Sequence, residues 1–531
     1  MITPLPLSVV VITKNEASRL AECLESVRWA GEIVVVDDES TDATVEIARR
    51  YTQRVIPRKM EIEGKHRNFA YSQAKYDWVL SLDADERVTA ELKEEMIRLL
   101  NGRLEFPGYA FPRKNYIGRW WIRHGGWYPS PQLRLFRKDR FRYEEAEVHP
   151  RAFMDGPTGH LRGDLIHYSY RDLADFLAKL NRQTTLEARK WVKDGRKMTP
   201  ARGLWRTADR FYRTWRIKEG YQDGLLGFLV AAYAGLYQFL SYAKYWQMKR
   251  TQREQNRLGP PRDGRPAVPP GSAGGLTAVI LTRNAADTLP ACLRSLEWVG
   301  QVILVDGGST DGTLEIARAA GAEIIGDTTA DDFSHLRNLG ADRARDGWVL
   351  QLDADEVVTP EFRDSLEQLL REPGPHAAYK FRRRNYFLGH RMRFGGWDHD
   401  SLHLFRKGQA RYEGRVHERL IVRGTVGRLK TGVDHYPFRS IEEFIDRQNR
   451  YTGLEARDLF EKRSDPPERE LRYQIQVKSA KLFWKLYVKK QGFREGLHGL
   501  IFCGLYAFVH LIKWGKYWEL AQVAKENRCA S

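Results

Sequence analysis

The feature that most constrains this chain is that its sequence is written twice. WVLSLDADE at 78–86 returns as WVLQLDADE at 348–356, RKNY at 113–116 as RRNY at 383–386, LFRK at 135–138 as LFRK at 404–407, and KYW at 244–246 as KYW at 516–518. The spacing hardly drifts: Asp306 lies 269 residues after Asp37, Asp355 lies 270 after Asp85, and Tyr517 lies 272 after Tyr245. Chance does not hold register over so many blocks, so two domains of one design are expected. Between the copies, TQREQNRLGPPRDGRPAVPPGSAGG is rich in Pro, Gly and charge and reads as a linker. The expected organisation is copy one over 1–250, the linker over 251–275 and copy two over 276–531.

Each copy opens with strand and helix in alternation. VVVI at 9–12 is a β-branched run suited to a buried parallel strand. Helix 17–29, strand 33–37, helix 43–50 after the capping sequence STD, helix 65–75 and strand 78–83 follow. That order predicts a doubly wound α/β sheet whose ligands lie at the carboxyl ends of its strands. Acidic residues cluster there: Asp37 and Asp38, then Asp83, Asp85 and Glu86, matched by Asp306 with Gly307 and by Asp353, Asp355 and Glu356. If Asp83 and Asp85 both continue the strand, alternation puts their carboxylates on one side. Carboxylates so placed suit Mg2+ or Mn2+ bridging a diphosphate. A lone Asp-x-Asp is a solvated turn more often than a site; one that follows a buried-type strand twice is not.

The series ITKNE, VVVDDESTD, HRN and SLDADE resembles glycosyltransferase family 2, and GGW, LFRK, VH and HY resemble the subgroup of bacterial lipopolysaccharide-core glucosyltransferases. The resemblance implies two tandem GT-A domains (Rossmann-like nucleotide-diphospho-sugar transferase folds), each with a C-terminal helical extension. It implies hexosyl transfer with inversion from a nucleotide sugar, such as a UDP-sugar, to a lipid-linked or lipopolysaccharide acceptor. By the same resemblance, Thr13 and Asp37, and Thr282 and Asp306, lie by the nucleobase and ribose. Arg67 and Asn68, and Arg337 and Asn338, flank the nucleotide, where a guanidinium can stack on a base or grip phosphate. Asp83 and Asp353 touch the donor sugar or ribose, and Asp85 and Asp355 hold the metal. His167 and His435 are open to two readings, as a ligand completing the metal shell or as packed, hydrogen-bonded histidines. The acceptor hydroxyl needs a general base. RVHER at 415–419 offers Glu418, with His417 beside it, whereas EVHPR at 147–151 has Pro150 in its place and only Glu147 nearby. Either both copies catalyse, or copy two alone does and copy one holds the acceptor or acts as a scaffold.

A net charge of +18 favours an acidic partner, and aromatic residues (15 Trp, 24 Tyr, 23 Phe) suit large cores or a membrane interface. Nucleic acid is not expected, because no helix-turn-helix, zinc or RNA-binding signature accompanies the charge. A nucleotidylyltransferase would want a Gly-rich phosphate loop, which ITKNEAS lacks. Cys23 and Cys292 fall at matching places in amphipathic helices and read as small core residues in a reducing compartment. The first residues lack the basic start and cleavage site of a signal peptide, so copy one is expected in the cytosol. Each copy ends in a basic aromatic helix and then an apolar stretch, 225–243 and 497–512. One crossing by the first would put copy two on the far side of the membrane, away from cytosolic nucleotide sugars. The expectation is therefore a peripheral protein on the inner face of the cytoplasmic membrane, with the apolar stretches either lying in or re-entering an anionic membrane surface, or packed as hydrophobic helices on their own domain or on a partner.

Overall fold

The computed structural model describes residues 5–145, 151–258, 273–327, 333–414 and 419–530. The chain divides into two compact units, Met1–Tyr242 and Ala243–Ser531.

In unit one the β-branched runs form the centre of a sheet. β1 (Leu5–Thr13), β2 (Ala30–Asp37), β3 (Val55–Pro57) and β4 (Trp78–Asp83) lie parallel in the order β3-β2-β1-β4. Between them run α1 (Leu20–Ser26), α2 (Thr44–Arg49) and α3 (Glu63–Ser72). Strand alternation sends Leu7, Val9 and Val11 to one apolar layer with Leu20, Cys23 and Leu24 of α1, and Val10 to the other with Ala70 and Tyr71 of α3. Helices are thus held on both faces, and the strands are buried on both sides. Cys23 and Cys292 are free, fully buried core residues, as their helical positions suggest.

Beyond β4 the pairing is mixed. β5 (Glu86–Val88) follows a two-residue turn, and α4 (Ala90–Leu100) is capped by Thr89, whose hydroxyl accepts from the Leu92 N–H. Then come β6 (Gly108–Phe111), β7 (Arg113–Ile117), β8 (Trp120–Trp121), β9 (Gln132–Arg137), β10 (Phe141–Tyr143), β11 (Ala152–Met154), β12 (Thr158–His160) and β13 (Leu165–Tyr170). The main sheet runs β12-β6-β9-β4-β1-β2-β3, and a smaller one runs β5-β13-β7-β8. In the main sheet β9 runs antiparallel to β4 and β6, whereas β12 runs parallel to β6. In unit two, two long strands, Ala378–Phe387 and Val426–Phe438, join the counterparts of these two sheets into a single one.

A helical extension closes each unit. In unit one, α5 (Leu173–Lys193) and α6 (Pro200–Tyr212) are followed by a π-helical turn, Arg213–Ile217, and then α7 (Gly224–Leu258). In unit two the order is Ile441–Lys462, Glu468–Arg472, a π-turn Tyr473–Lys478, Ser479–Trp484, a π-turn Lys485–Lys489 and Gly496–Ala530. The entry to the last helix is the same in both. Glu219 and Gln491 are left-handed, at φ 57° and 56°, and Gly224 and Gly496 have φ 62° and 59°. Gly227 and Gly499 sit so close to the carbonyls of Gly220 and Gly492 that a Cβ would lie 1.8 and 1.9 Å from those oxygens.

One expectation is corrected, and one open alternative is narrowed. Asp85 and Asp355 do not continue their strands; each lies in the turn before the next strand, so alternation is not what aims them. The apolar stretch 225–243 is core: Leu229, Val230, Tyr233, Leu236 and Leu240 are all at most 2% exposed. Much of its apolarity is met by packing on protein, as in the packed reading of this stretch. In Gly492–Cys529 the most apolar window is 56% buried.

Candidate active site

The sheet carries four groups of side chains to one edge. At the ends of β1 and β2, Thr13 and Asp37 are register partners, both buried. The Asp37 carboxylate accepts from Ser40 N–H at 2.9 Å and Ser40 Oγ at 2.5 Å. Asp306 is held alike by Ser309 N–H at 2.9 Å and Ser309 Oγ at 2.5 Å, and Thr282 Oγ1 donates to it at 3.2 Å. Asn15 and Asn284, left-handed at φ 52° and 51°, accept from Thr41 and Thr310 N–H at 2.7 Å and fold the loop after β1, and its counterpart, around that acid. Asp38, where unit two has Gly307, accepts from Met60 N–H at 2.7 Å and pairs with Lys14 at 2.9 Å.

Asp83 ends β4. Arg67 of α3 reaches its Oδ1 with both Nη atoms at 3.2 Å, and Arg134 of β9 reaches Oδ2 at 2.5 Å. Burial works to raise its carboxyl, but the guanidiniums of Arg134 and Arg67 outweigh that and hold it well below the usual carboxylate range. Arg134 also grips Glu86 at 2.8 Å, while Glu86 accepts from the Asp83 N–H at 2.9 Å. In unit two Arg337 binds Asp353 Oδ1 at 2.8 Å, but His403 stands at the position of Arg134. Arg383 compensates, reaching Asp353 Oδ2 at 2.9 Å and Glu356 at 2.6 Å, where its counterpart Arg113 stays 3.6 Å from Glu86. Asn68 and Asn338 do not offer their amides to the cleft. Each donates to and accepts from the backbone of one residue, Tyr143 or Tyr412, at 2.8–3.0 Å.

The third group is set by the smaller sheet, whose register puts His167 opposite both Glu86 and Asn115. His167 Nε2 lies 3.6 Å from Asp85 Oδ1, and its Nδ1 lies 2.7 Å from Asn115 Oδ1. The Asn115 amide nitrogen donates to Trp127 C=O at 2.6 Å, which fixes the amide's orientation and leaves its oxygen to accept. Nδ1 of His167 must therefore carry a proton, and Nε2 alone faces the acid. Unit two repeats this: His435 Nε2 is 3.4 Å from Asp355 Oδ1, its Nδ1 is 2.6 Å from Asn385 Oδ1, and Asn385 donates to Trp397 C=O. Asp355 Oδ1 is buried and accepts no hydrogen bond. A proton on Nε2 makes an ion pair across this gap; a divalent cation there would meet a carboxylate oxygen and an imidazole lone pair, both suitable donors. Among the described residues no group of three or more His, Cys, Asp or Glu could hold a metal. A cation here would take its remaining ligands from diphosphate and water, as Mg2+ commonly does.

A cation approaches each acid from a different element. Arg19, just before α1, lies 3.6 Å from Asp85, whereas Arg447, on the helix Ile441–Lys462, lies 3.6 Å from Asp355. Burial and then Asp85 raise the carboxyl of Glu16, which unit two replaces with Ala285.

The fourth group is the GGW loop. Asp223 accepts from the Arg123 and His124 N–H groups at 3.1 and 2.8 Å; Glu495 accepts from Arg393 and Phe394 at 2.7 and 2.8 Å. The helical extension thereby holds the loop whose carbonyl orients the asparagine. Glu418, His417, Glu147 and Pro150 lie outside the described residues. Sequence reasoning missed Asn115, Asn385, Arg134, Arg383, Arg19 and Arg447. The first and the second sit inside the repeated RKNY and RRNY blocks, a signal that was present; Arg19 and Arg447 are not at equivalent positions and left none.

The profile of glycosyl transferase family 2 matches residues 8–154 and 277–420, more than half of the chain. The chain belongs to glycosyl transferase family 2. It is a glycosyltransferase, built as two α/β units with helical extensions. The lipopolysaccharide core biosynthesis glycosyltransferase LpsC of Rhizobium meliloti (strain 1021) is 29% identical over 263 residues, 48% of this chain and 97% of LpsC. The uncharacterized glycosyltransferase RP128 of Rickettsia prowazekii (strain Madrid E) is 27% identical over 45% of this chain and 86% of its own. Among solved structures, S. aureus TarS 1–349 is 16% identical over 47% of this chain and 91% of its own, with a TM-score of 0.24. About half of this chain thus spans nearly the whole of LpsC.

Proposed function

We propose that both units transfer a sugar from a nucleotide-sugar donor, a UDP-sugar first among those to test, to a cell-envelope glycolipid such as lipopolysaccharide core. The observation that carries the reading is the Asp–His–Asn arrangement, present at the same edge of both units with the same tautomer-setting contact. A Mg2+ or Mn2+ ion held there would stabilise the departing diphosphate. Asp85 and His167, or Asp355 and His435, would hold it. Asp37 and Asp306, fixed by their serines, would meet the nucleoside. Arg67 and Arg337, already bonded to Asp83 and Asp353, set the orientation of the acid nearest the donor sugar. Glu418, with His417 beside it, is the general base proposed for unit two, giving inversion by direct attack of the acceptor hydroxyl. Consecutive transfers on one chain would raise the local concentration of the intermediate.

A second reading is favoured by one difference. Pro150 replaces the acid corresponding to Glu418, and in that reading unit one holds acceptor and unit two alone transfers. The test of the main reading is release of nucleoside diphosphate by the purified chain, with a panel of nucleotide sugars, Mg2+ or Mn2+ and envelope lipid extract. Turnover with one donor class is expected. No turnover with any donor would sink the reading.

A further inference from the structure

With the first apolar helix mostly buried and the second about half buried, many of the large hydrophobic side chains left on the surface fall on the helical segment that precedes each of them. In unit one these are Trp205 (63% exposed), Tyr212 (56%) and Tyr221 (40%); in unit two Val477 (40%), Trp484 (58%) and Phe493 (51%). They are the same three positions, each pair 272 residues apart. A single exposed large hydrophobic residue is ordinary, but three such positions that recur in both copies of a duplication, two of them aromatic in both, are not scatter.

The packing explains which way they point. In unit one Gly203 and Thr214 are the buried residues of α6 and its π-turn; a Cβ on Gly203 would meet the Tyr242 ring at 2.5 Å. Phe211 and Trp215 pack edge-on against Phe228 of α7, with centroids 5.6 and 5.4 Å apart. The opposite side is left to solvent. A π-turn advances five residues per hydrogen bond, which keeps Tyr212 and Ile217, also 63% exposed, on that outer side.

The charge around the rings is one-sided. Residues 200–223 contain six Lys and Arg against three carboxylates, and residues 473–495 contain six against one. Asp223 and Glu495 are turned inward onto the GGW loop, which leaves Asp209 and Glu219 in the first segment and no outward acid in the second. Aromatics interleaved with cations on one helix face suit a headgroup layer, with rings at the interface and cations on phosphates. Protein–protein interface cores, by contrast, are depleted in Lys, and the face of unit two carries five.

We propose that these two faces, α6 with its π-turn in unit one and Tyr473–Phe493 in unit two, dock each unit onto an anionic phospholipid bilayer. The inference deepens the reading of a membrane-borne acceptor by naming the surface that delivers each unit to it. The test is flotation of the full chain with vesicles of phosphatidylcholine alone or mixed with phosphatidylglycerol. Binding is expected to the mixed vesicles only, and high salt should release it. Trp205→Ser with Tyr212→Ser, or Trp484→Ser with Phe493→Ser, should each lower the partition about tenfold, and all four together should abolish it. Thermal unfolding and nucleotide binding of each variant check that it folds. If an aromatic set fails that check, Lys485→Glu with Lys489→Glu and Lys490→Glu replaces it. Flotation of the fourfold variant like the wild type, or equal binding to neutral vesicles, would overturn the proposal. So would self-association in solution that the same substitutions abolish without any flotation. Donor turnover without vesicles reports on the transferase reading separately.

Discussion

Asn115 and Asn385 decide which nitrogen of a histidine carries its proton. Each is locked by a carbonyl of the GGW loop, so its oxygen can only accept, and the imidazole turns its other nitrogen to Asp85 or Asp355. Outer contacts of this kind commonly change metal affinity about 10–100-fold. Asn115→Leu and Asn385→Leu should weaken Mn2+ binding in the presence of nucleoside diphosphate by that amount, measured by paramagnetic relaxation. The lost hydrogen bonds should cost about 1–3 kcal/mol of stability. Asn→Asp, which keeps the acceptor, should restore much of the affinity. Unchanged Mn2+ affinity in the leucine variants would make these asparagines merely structural. At this scale the sequence was legible where a residue type announces its chemistry. Asp37, Asp83 and Asp85 stand where acids at strand ends lead one to look. Arg134 and His403 were not legible. Their difference is compensated by Arg113 and Arg383, whose identity is the same and whose reach differs.

The elements divide in the same way. Trp78–Asp83 forms over the residues its β-branched and apolar run predicts, and β1 and β2 begin a little earlier than their runs. The helix expected over 17–29 contracts to Leu20–Ser26, because turns occupy its start. The apolar stretch 225–243 admitted both a membrane and a packed reading, because hydropathy reports a need for burial and not what supplies it. Protein and lipid meet that need equally well, and only the partner layers decide. The π-turns had no signature, since they arise from packing against the next helix. The entry to that helix gives a sharp prediction. Gly227→Ala and Gly499→Ala place a methyl against a carbonyl and should each cost about 1–3 kcal/mol, as overpacking does. Denaturation by urea measures it, and unchanged midpoints would mean the turn can open at no cost.

At the scale of the whole chain the units share a design and differ in what they titrate. Burial, followed by Arg337, Arg250 and Lys513 respectively, pushes His403, His498 and His510 down to about 3, 3 and 4. Unit one has Arg134, Leu226 and Gln238 at those places, none of which titrates near neutrality. A histidine kept neutral in the fold protonates first in the unfolded chain. Its stabilising effect is therefore complete above pH 6.5 and declines as pH falls toward 4. The slope is at most about 1.4 kcal/mol per pH unit for each histidine, less for the partly solvated His498 and His510. Calorimetry should show the transition of unit two moving to lower temperature ahead of that of unit one over this range. Parallel movement would contradict the assignment.

The central claim is that one chain holds two sugar-transferring centres. Asp85→Ala and Asp355→Ala, made separately and together, test it most directly, with nucleoside diphosphate release and product mass followed on the same acceptor. The account predicts that each single variant keeps part of the turnover and yields a different truncated product, and that the double variant yields none. If Asp85→Ala leaves both turnover and product mass as in the unaltered chain, unit one is not a catalyst and the claim of two centres is contradicted.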